Sequence, residues 1–264
     1  FLTCQEVEDE FEEGRKLLEQ CAEYAGQFHR EPIPVSELVV GMKCGGSDGL
    51  SGITANPTVG RFSDMMAARG GSTVLTEVPE MFGAEGFLMN RCINKGVFDK
   101  AVNMINGFKN YFISHHEVVY ANPSPGNRQC GITTLEDKSC GCVQKGGSAP
   151  IMDVIGYGDP VVTKGLNMLY GPGNDLVSAT AMTAAGAHMI LFTTGRGTPF
   201  GAPAPTLKLA TNSQLAANKK NWIDFDAGPI VNGESIDDAA KRLLDLVIET
   251  ANGKETQTER RGYR

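Results

Sequence analysis

The sequence lacks the charge and the hydrophobic runs that nucleic-acid-binding and membrane-spanning proteins need. Its 264 residues include 24 Lys and Arg against 31 Asp and Glu, which gives a formal net charge of −7 at pH 7. We therefore expect no basic surface that would attract nucleic acid or an acidic membrane. No run of about 18 apolar residues occurs, so no segment is expected to cross a bilayer.

The amino-terminal residues also lack the basic start and the apolar core of a secretory signal peptide. They are typical of a strand end that enters a helix, so we expect the chain to continue from an upstream segment. The cysteines form an odd set without the spacing of a disulfide framework, and a cytoplasmic protein is therefore expected. The seven are Cys4, Cys21, Cys44, Cys92, Cys130, Cys140 and Cys142.

Several common motifs are missing as well. No GxSxG elbow, P-loop or strand-anchored GxGxxG occurs, which argues against hydrolase, NTPase and dinucleotide-binding functions. Cys140 and Cys142 form a close pair with no second pair at zinc-like spacing, so structural zinc is not expected. Glu77 and Glu80 stand near the end of a predicted strand, where they could bind a hard cation or cap the next helix.

The apolar pattern that is present predicts an α/β fold. We expect a mostly parallel sheet with flanking helices, Rossmann-like layering, and long polar loops at the carboxyl ends of the strands. The pattern indicates an amino-terminal helix over 5–28, a catalytic-type domain over 31–253, and a frayed polar tail over 254–264. Predicted strands cover 37–43, 72–78, 151–156, 166–170, 188–192 and 206–211. Predicted helices cover 80–113 in large part, 175–186, 213–220 and 235–253, with a further helix beginning at Asn56 as its N-cap.

Three polar loops carry the candidate chemistry: residues 44–57, 122–148 and 193–201. In the third loop, Gly195 and Gly197 flank Arg196, and Thr194 and Thr198 lie on either side. Glycines allow close backbone approach, and a guanidinium can bind a carboxylate or phosphate through two hydrogen bonds. We favour an anion-binding loop here over a tight turn with a solvated arginine.

Each of the other two loops allows two interpretations. The hydroxyls and amides of loop 44–57 could bind a polyol, or they could stabilise turns and the start of a helix. For Ser47 and Asp48 the two interpretations are evenly balanced. In loop 122–148 a buried lysine could act as a base, whereas Glu136, Asp137 and Lys138 could equally be a solvated charge cluster.

Eight segments in order resemble the altronate and galactarate dehydratase family, over about residues 30–253. They are 43–48, 51–57, 75–85, 122–127, 131–139, 172–175, 192–201 and 222–228. The resemblance implies a hydro-lyase of hexuronate catabolism that acts on a sugar acid, D-altronate giving 2-keto-3-deoxygluconate, and that uses Fe²⁺. It also implies that this chain is the carboxyl-terminal portion of a longer polypeptide. Cys140 and Cys142 stand where the family tolerates other residues, so no ligand role is implied for them.

Loop chemistry and motif membership together give the candidate site. The catalytic candidates are Lys145, Asp48, Glu136 and Arg196, with Arg196 expected to bind the carboxylate and Lys145 or Lys138 expected to act as the base. The substrate-binding candidates are Ser47, Ser51, Thr54, Asn56, Asn127, Lys138, Thr194 and Thr198. Metal ligands cannot be assigned from the sequence.

Two alternatives to altronate dehydration remain at this stage. The first is a related lyase, either a galactarate dehydratase or an enzyme that eliminates sulfite from a sulfo-acid. The second is a noncatalytic module that binds a sugar acid or dimerises. Expected partners are the sugar acid, the upstream part of the polypeptide and a second copy in a homodimer.

Overall fold

The computed structural model describes residues 1–263 and divides the chain into two compact units, 1–34 and 35–264. In the first unit, helix α1 (Glu10–Ala25) follows a short 3₁₀ turn, and the Asp9 carboxylate accepts hydrogen bonds from the first amides of the helix. The predicted helix is confirmed, with shorter bounds. Its apolar positions Phe11, Leu18 and Phe28 are exposed rather than buried.

The second unit is built on a sheet of seven parallel strands, counted over the described residues, in the order β3-β4-β2-β1-β5-β6-β7. This confirms the predicted α/β class. The strands are β1 (Val39–Cys44), β2 (Ser72–Leu75), β3 (Ile151–Ile155), β4 (Gly165–Leu169), β5 (Met189–Thr194), β6 (Thr206–Ala210) and β7 (Phe225–Asp226). The two-residue strand β7 was not predicted, because it is too short to show a pattern.

Helices connect and cover the strands. They are α2 (Ala55–Ala68), α3 (Glu85–Met89), α4 (Lys95–Ser114), α5 (Pro125–Gln129), α6 (Leu135–Val143), α7 (Asp175–Ala184), α8 (Ser213–Asn218), α9 (Ile236–Ala251) and α10 (Gln257–Arg261). None of the helices in residues 1–263 combines the length and the apolar character needed to span a membrane.

Both faces of the sheet are buried, as expected for parallel strands. Leu191 of β5 lies in the main core, which also contains Phe62 of α2 and Leu243 of α9. Its neighbour Ile190 lies in a second core on the opposite face, together with Met182 of α7. This alternation follows from the two-residue period of a strand. A rigid sheet buried on both faces therefore supports the loops at its carboxyl edge.

Three local predictions are wrong. Residue 54, not Asn56, is the N-cap of α2. Segment 122–148 is not one long loop, because it contains α5 and α6. Helix α6 was missed because the side chains it buries include Lys138 and Ser139, so no apolar stripe marks it. The tail is not frayed, since Thr256 and Glu259 form a capping box that begins α10.

Candidate functional site

The candidate site lies at the carboxyl edge of the sheet. Because all the strands are parallel, the residues that follow β1, β2, β4 and β5 meet along this edge. Lys43 and Cys44 end β1, and Glu77 follows β2. Asp175 begins α7 after β4, and Arg196 follows β5.

Four charged residues form what we call the buried charge network: Lys43, Glu77, Lys145 and Asp175. The Nζ of Lys43 lies 2.9 Å from Glu77 Oε1 and 2.6 Å from Asp175 Oδ1. The Nζ of Lys145 lies 3.4 Å from Glu77 Oε2. Lys43, Glu77 and Lys145 are almost completely buried, whereas Asp175 remains partly exposed. A charge inside a protein is stable only when it is paired, and Glu77 supplies the shared partner.

Glu77 adopts a left-handed backbone conformation, with φ 67° and ψ 58°. Such a conformation is unfavourable for a residue with a side chain and persists only where surrounding contacts hold it. Those contacts are the two lysines and the amide of Cys44, which donates a 2.9 Å hydrogen bond to Glu77 Oε2. The side chain therefore neither caps the following turn nor is free for a hard cation, the two roles considered from the sequence.

The network keeps Glu77, Lys43 and Lys145 charged at neutral pH. Burial acts to raise the pKa of Glu77, but Lys43 and Lys145 outweigh it, and the pKa is lowered. Burial acts to lower the pKa of Lys145, but the neighbouring thiols and Glu77 outweigh it, and the pKa is raised well above its ordinary value. Lys43 shifts in the same direction because of Glu77 and Asp175. Lys145 is thus held as an ammonium ion, which argues against its predicted role as a base.

Lys138 lines two polar cavities at the carboxyl edge of the sheet. Its Nζ lies 3.1 Å from Glu80 Oε1 and donates hydrogen bonds to Asn127 Oδ1 and Asn122 Oδ1 at 3.0 and 3.2 Å. Burial acts to lower the pKa of Lys138, but Glu80 and the nearby thiols raise it overall. The alternative of a solvated charge cluster does not hold for Lys138, and the raised pKa again favours a cation over a base.

One of these cavities, which we call the Lys138–Arg196 cavity, has a volume of about 520 Å³. Its polar lining consists of Ser47, Glu80, Asn127, Lys138, Asp175 and Arg196, together with smaller groups. The other, which we call the Asp48–Glu136 cavity, has a volume of about 360 Å³. Ser47 and Lys138 line both cavities, and Ser51 lines the second. Asp48 and Arg196 also share a third cavity of about 700 Å³.

Seven predicted residues are therefore brought together: Ser47, Asp48, Ser51, Asn127, Glu136, Lys138 and Arg196. Arg196 is exposed and makes no ion pair with any residue in 1–263. Its guanidinium lies against α5, where a Cβ at Gly126 would stand 2.1 Å from Nη1. Glycine at that position is what allows loop 193–201 to approach α5. An unpaired guanidinium beside Lys138 at the rim of a cavity is suited to a carboxylate.

Asp48 also has structural contacts. Its Oδ2 accepts hydrogen bonds from Thr211 Oγ1 at 2.8 Å and from Asn212 Nδ2 at 3.2 Å, and its Oδ1 accepts one from Ser51 Oγ at 3.0 Å. Asp48 therefore both stabilises a turn and lines a cavity. The two interpretations that the sequence left balanced are both compatible with its position.

Four other predicted substrate contacts lie outside both cavities. The Thr54 hydroxyl donates to the Thr211 carbonyl, and Thr194 Oγ1 accepts from the Gly197 amide. The Thr198 hydroxyl accepts from the Phe200 amide. Asn56 donates to the Gly141 carbonyl and accepts from the Thr193 hydroxyl. These groups hold the loops in place, and the structure does not bring them to a position where a ligand in either cavity would touch them.

Sequence reasoning missed Lys43, Cys44 and Asp175. Lys43 does carry a signal, because a lysine within an apolar strand must find a buried partner. No pattern in the sequence identifies that partner as Glu77, which lies 34 residues away. The thiols of Cys44 and Cys142 lie 3.5 Å apart. They adjoin the buried charge network, because the Cys44 amide donates a hydrogen bond to Glu77.

The described residues do not form a metal centre by themselves. No group of three or more His, Cys, Asp or Glu side chains within 1–263 is arranged to hold a metal ion. Glu77 and Glu80, the nearest carboxylates to the thiol pair, are both bound to lysines. The donor set of this chain therefore does not fit the Fe²⁺ that the family resemblance implies.

The parallel sheet and the polar cavities at its carboxyl edge place the chain in the open-sheet α/β class, whose members bind small molecules at that edge. Its particular family is identified by sequence comparison. Residues 35–264 match the family D-galactarate/Altronate dehydratase, C-terminal, and the chain belongs to that family.

Named relatives agree with this assignment. The chain is 55% identical over 264 residues to the altronate dehydratase of Escherichia coli (strain K12), covering 100% of this chain and 53% of that protein. It is 54% identical over 265 residues to the altronate dehydratase of Bacillus subtilis (strain 168), with the same coverage. The galactarate dehydratase (L-threo-forming) of E. coli is 36% identical over 241 residues, 90% of this chain and 46% of that protein. The chain thus spans about half the length of the relatives it matches.

Proposed function

We propose that this chain is the carboxyl-terminal domain of a hydro-lyase that dehydrates D-altronate to 2-keto-3-deoxygluconate in hexuronate catabolism. The observation that carries the proposal is the Lys138–Arg196 cavity, where Arg196, which has no ion pair among residues 1–263, shares one space with the paired Lys138 and Glu80, with Asp175 and with several hydrogen-bonding groups. A sugar acid offers a carboxylate and a row of hydroxyls to such a surface. The identity of 55% with an altronate dehydratase supports this substrate over other acids.

The reaction removes a proton from C2 and the hydroxyl from C3, and the resulting enol becomes the 2-keto product. In this scheme Arg196 binds the carboxylate, and the Lys138 ammonium offsets the negative charge that develops as the C2 proton leaves. Ser47 and Asn127 bind the hydroxyls. Asn127 would bind a hydroxyl through the second hydrogen of Nδ2, because its Oδ1 already accepts from Lys138 and Ser124 and its Nδ2 donates once to the Ser47 carbonyl.

Proton transfer falls to a carboxylate in this proposal, since both candidate lysines are held as cations. Glu136 is exposed and lines the neighbouring Asp48–Glu136 cavity, and no hydrogen bond of its carboxylate occurs among residues 1–263. A substrate bound at Arg196 would therefore have to extend past Ser47 and Lys138, which line both cavities, to reach it. A free carboxylate at a cavity wall can take or deliver a proton. Asp48, which already accepts hydrogen bonds from several groups, would assist by orienting Ser51.

The proposal extends to the location and the assembly of the protein. We assign no step to Fe²⁺, because the described residues do not offer a ligand set for it. The upstream part of the polypeptide is the expected partner of this domain, and a homodimer and a cytoplasmic location are expected as well. Sedimentation of the intact protein with and without added Fe²⁺ would test both the homodimer and its dependence on metal.

The substrate proposal is tested by turnover of the intact enzyme. Anaerobic assays with added Fe²⁺ would compare D-altronate, galactarate and mannonate, with formation of the 2-keto-3-deoxy acid as the readout. We expect the highest kcat/KM with D-altronate. A preference for galactarate would refute the substrate, and release of sulfite from sulfolactate would refute the reaction.

The noncatalytic alternative needs a binding measurement. Calorimetry on the 264-residue chain with D-altronate, beside the turnover assay, separates binding from catalysis. Binding by the 264-residue chain without turnover by it, beside turnover by the intact protein, would support a noncatalytic sugar-acid-binding module of the larger enzyme. Turnover by the 264-residue chain alone would exclude that alternative.

A further inference from the structure

The proposed dehydration makes no use of two neighbouring thiols at the centre of the site. Cys44 ends β1, and Cys142 lies near the end of α6. Their Sγ atoms are 3.5 Å apart, and both residues are buried. The two cysteines are 98 positions apart in the sequence, so the fold alone places them together.

Each cysteine lines one of the two cavities. Cys44 lines the Lys138–Arg196 cavity, and Cys142 lines the Asp48–Glu136 cavity. The pair thus forms part of the wall between the cavities. A small solute that enters either cavity meets this wall, although both residues are almost completely buried.

The surroundings make Cys44 the more acidic of the two thiols. A hydrogen bond from Cys142 lowers the pKa of the Cys44 thiol, and Lys145 lowers it further, against the effects of burial, Glu77 and Glu80. The same hydrogen bond and burial raise the pKa of Cys142. The thiolate is the reactive form of cysteine, so the pair has one nucleophilic sulfur and one thiol poised to follow it.

We propose that Cys44 and Cys142 form an oxidisable dithiol that a hydroperoxide converts to a disulfide. The Cys44 thiolate attacks a peroxide oxygen, the O–O bond breaks, and Cys44 becomes a sulfenic acid while hydroxide or alkoxide leaves. The Cys142 sulfur then attacks the Cys44 sulfur. Its proton joins the departing hydroxide as water, so two thiols are oxidised and one peroxide is reduced.

The geometry requires only a small movement. A disulfide has an S–S length of about 2.05 Å, so the two sulfurs must approach by about 1.5 Å from their separation of 3.5 Å. The bridge would fasten α6, which carries Lys138, to the end of β1. It would also remove the thiolate beside Lys145. Reduction by a dithiol would restore both.

Other cysteines provide matched controls. Cys140 lies on the same helix two residues from Cys142, but it has no partner sulfur within hydrogen-bond distance among the described residues. Trypsin would release Cys44 on peptide 44–61, and it would release Cys140 and Cys142 together on peptide 139–145. A Cys140→Ser variant is therefore needed to show which of the two bridges.

The experiment treats the intact protein with a small molar excess of hydrogen peroxide, blocks free thiols, and maps peptides without reduction. We expect a cross-link between peptides 44–61 and 139–145 in the wild type and in Cys140→Ser, reversed by a dithiol reductant. Cys142→Ser should lose the cross-link and accumulate sulfenic acid on Cys44, which a dimedone-type probe would capture. A cross-link that disappears in Cys140→Ser overturns the proposal. So does a wild-type map with no cross-link, or equal labelling of Cys44 and Cys140 by the probe.

This readout does not depend on dehydratase activity. The cross-link can be found in a protein that turns over no sugar acid, and it can be missing from one that does. If a serine variant fails to fold, fragmentation of the cross-linked wild-type peptide 139–145 in the mass spectrometer identifies whether Cys140 or Cys142 forms the bridge.

Discussion

Two buried lysines lie on either side of one aromatic ring in the sheet, and their pKa values shift in opposite directions. Lys43 of β1 and Lys208 of β6 are both register partners of Phe192 in β5, so the three residues stand in one row across three strands. Their Nζ atoms lie 4.8 Å and 5.6 Å from the centre of the Phe192 ring. Both side chains are fully buried.

The difference lies in their partners. Lys43 contacts two carboxylates, and its pKa is raised although burial opposes this. Lys208 Nζ donates to the Thr198 carbonyl at 2.8 Å and has no ion pair among residues 1–263, and burial lowers its pKa to about 8. Burial alone therefore does not decide the state of a lysine here. The sheet places a permanent cation at the candidate site and a titratable amine one strand beyond Phe192.

The largest effect is expected from removing the shared partner of the network. Glu77→Gln keeps the shape of the side chain but leaves Lys145 without its carboxylate and Lys43 with Asp175 alone. Breaking a buried pair in this way should lower the free energy of unfolding by about 3 kcal/mol. Urea denaturation at pH 7 would measure the loss. An unchanged urea midpoint would show that the network does not hold the fold.

The pH dependence of this difference has a definite sign. The pKa of Glu77 is lowered in the folded protein, so its stabilisation is present above the ordinary pKa of about 4.3 and disappears as the pH falls through the lowered value. Wild type and Glu77→Gln should therefore converge in stability under acidic conditions.

Lys208→Met tests the other half of the comparison. The pKa of Lys208 is about 8 in the folded protein and about 10.4 in the unfolded chain. At pH 7 the buried amine is protonated, and this lowers the stability of the folded protein. The loss of stability disappears as the pH rises from about 8 to about 10.4. The variant should be more stable than wild type at pH 7 by up to about 3 kcal/mol, less whatever the lost hydrogen bond contributes. The gain should diminish between about pH 8 and pH 10.

Urea midpoints measured across that pH range would check this expectation. A gain that stays constant with pH would mean that Lys208 does not titrate in the interval. The Lys43→Met variant is the matched control, and it should be destabilised throughout that pH range because it leaves the buried Glu77 with Lys145 as its one remaining ion-pair partner among residues 1–263.

Arg196 is the exposed counterpart of these buried cations. Since it has no ion pair among the described residues and lies at a cavity rim, Arg196→Ala should leave the urea midpoint unchanged. It should lower kcat/KM for D-altronate by about 10- to 100-fold, the value of a hydrogen bond to a charged group. Arg196→Lys retains the charge without the two-bonded geometry and should recover part of the loss. Wild-type kinetics in Arg196→Ala would remove Arg196 from the proposed carboxylate site.

The sequence predicted the features that depend on neighbouring residues, such as the strands. It did not predict the contacts between side chains that lie far apart in the chain. Periodicity identified the strands, and their parallel arrangement placed Arg196, Lys138 and Ser47 at one edge. It did not reveal α6, whose buried side chains are largely polar. Nor could it show that Asn56 and Thr54 are used up in holding the loops, because their partners lie far away in the chain.

The same limit explains the lysines. From the sequence Lys145 was a candidate base, since a buried lysine without a counterion loses its proton easily. Only the fold shows that Glu77 stands beside it. Lys208 carries the same sequence signal as Lys43, a lysine inside an apolar strand, but only the fold shows that it has no ion pair among the described residues.

The smallest effect is expected at an ion pair that lies on the surface. Arg61 Nε and Asp237 Oδ1 are 2.7 Å apart and join α2 to α9, but both side chains are about half exposed. Water and salt screen such a pair, so Arg61→Ala should leave the urea midpoint within experimental error of wild type. The contact is as short as those of Lys43, which isolates burial as the variable. A loss of stability comparable to that of Glu77→Gln would show that the geometry of an ion pair, and not its burial, determines how much it stabilises this protein.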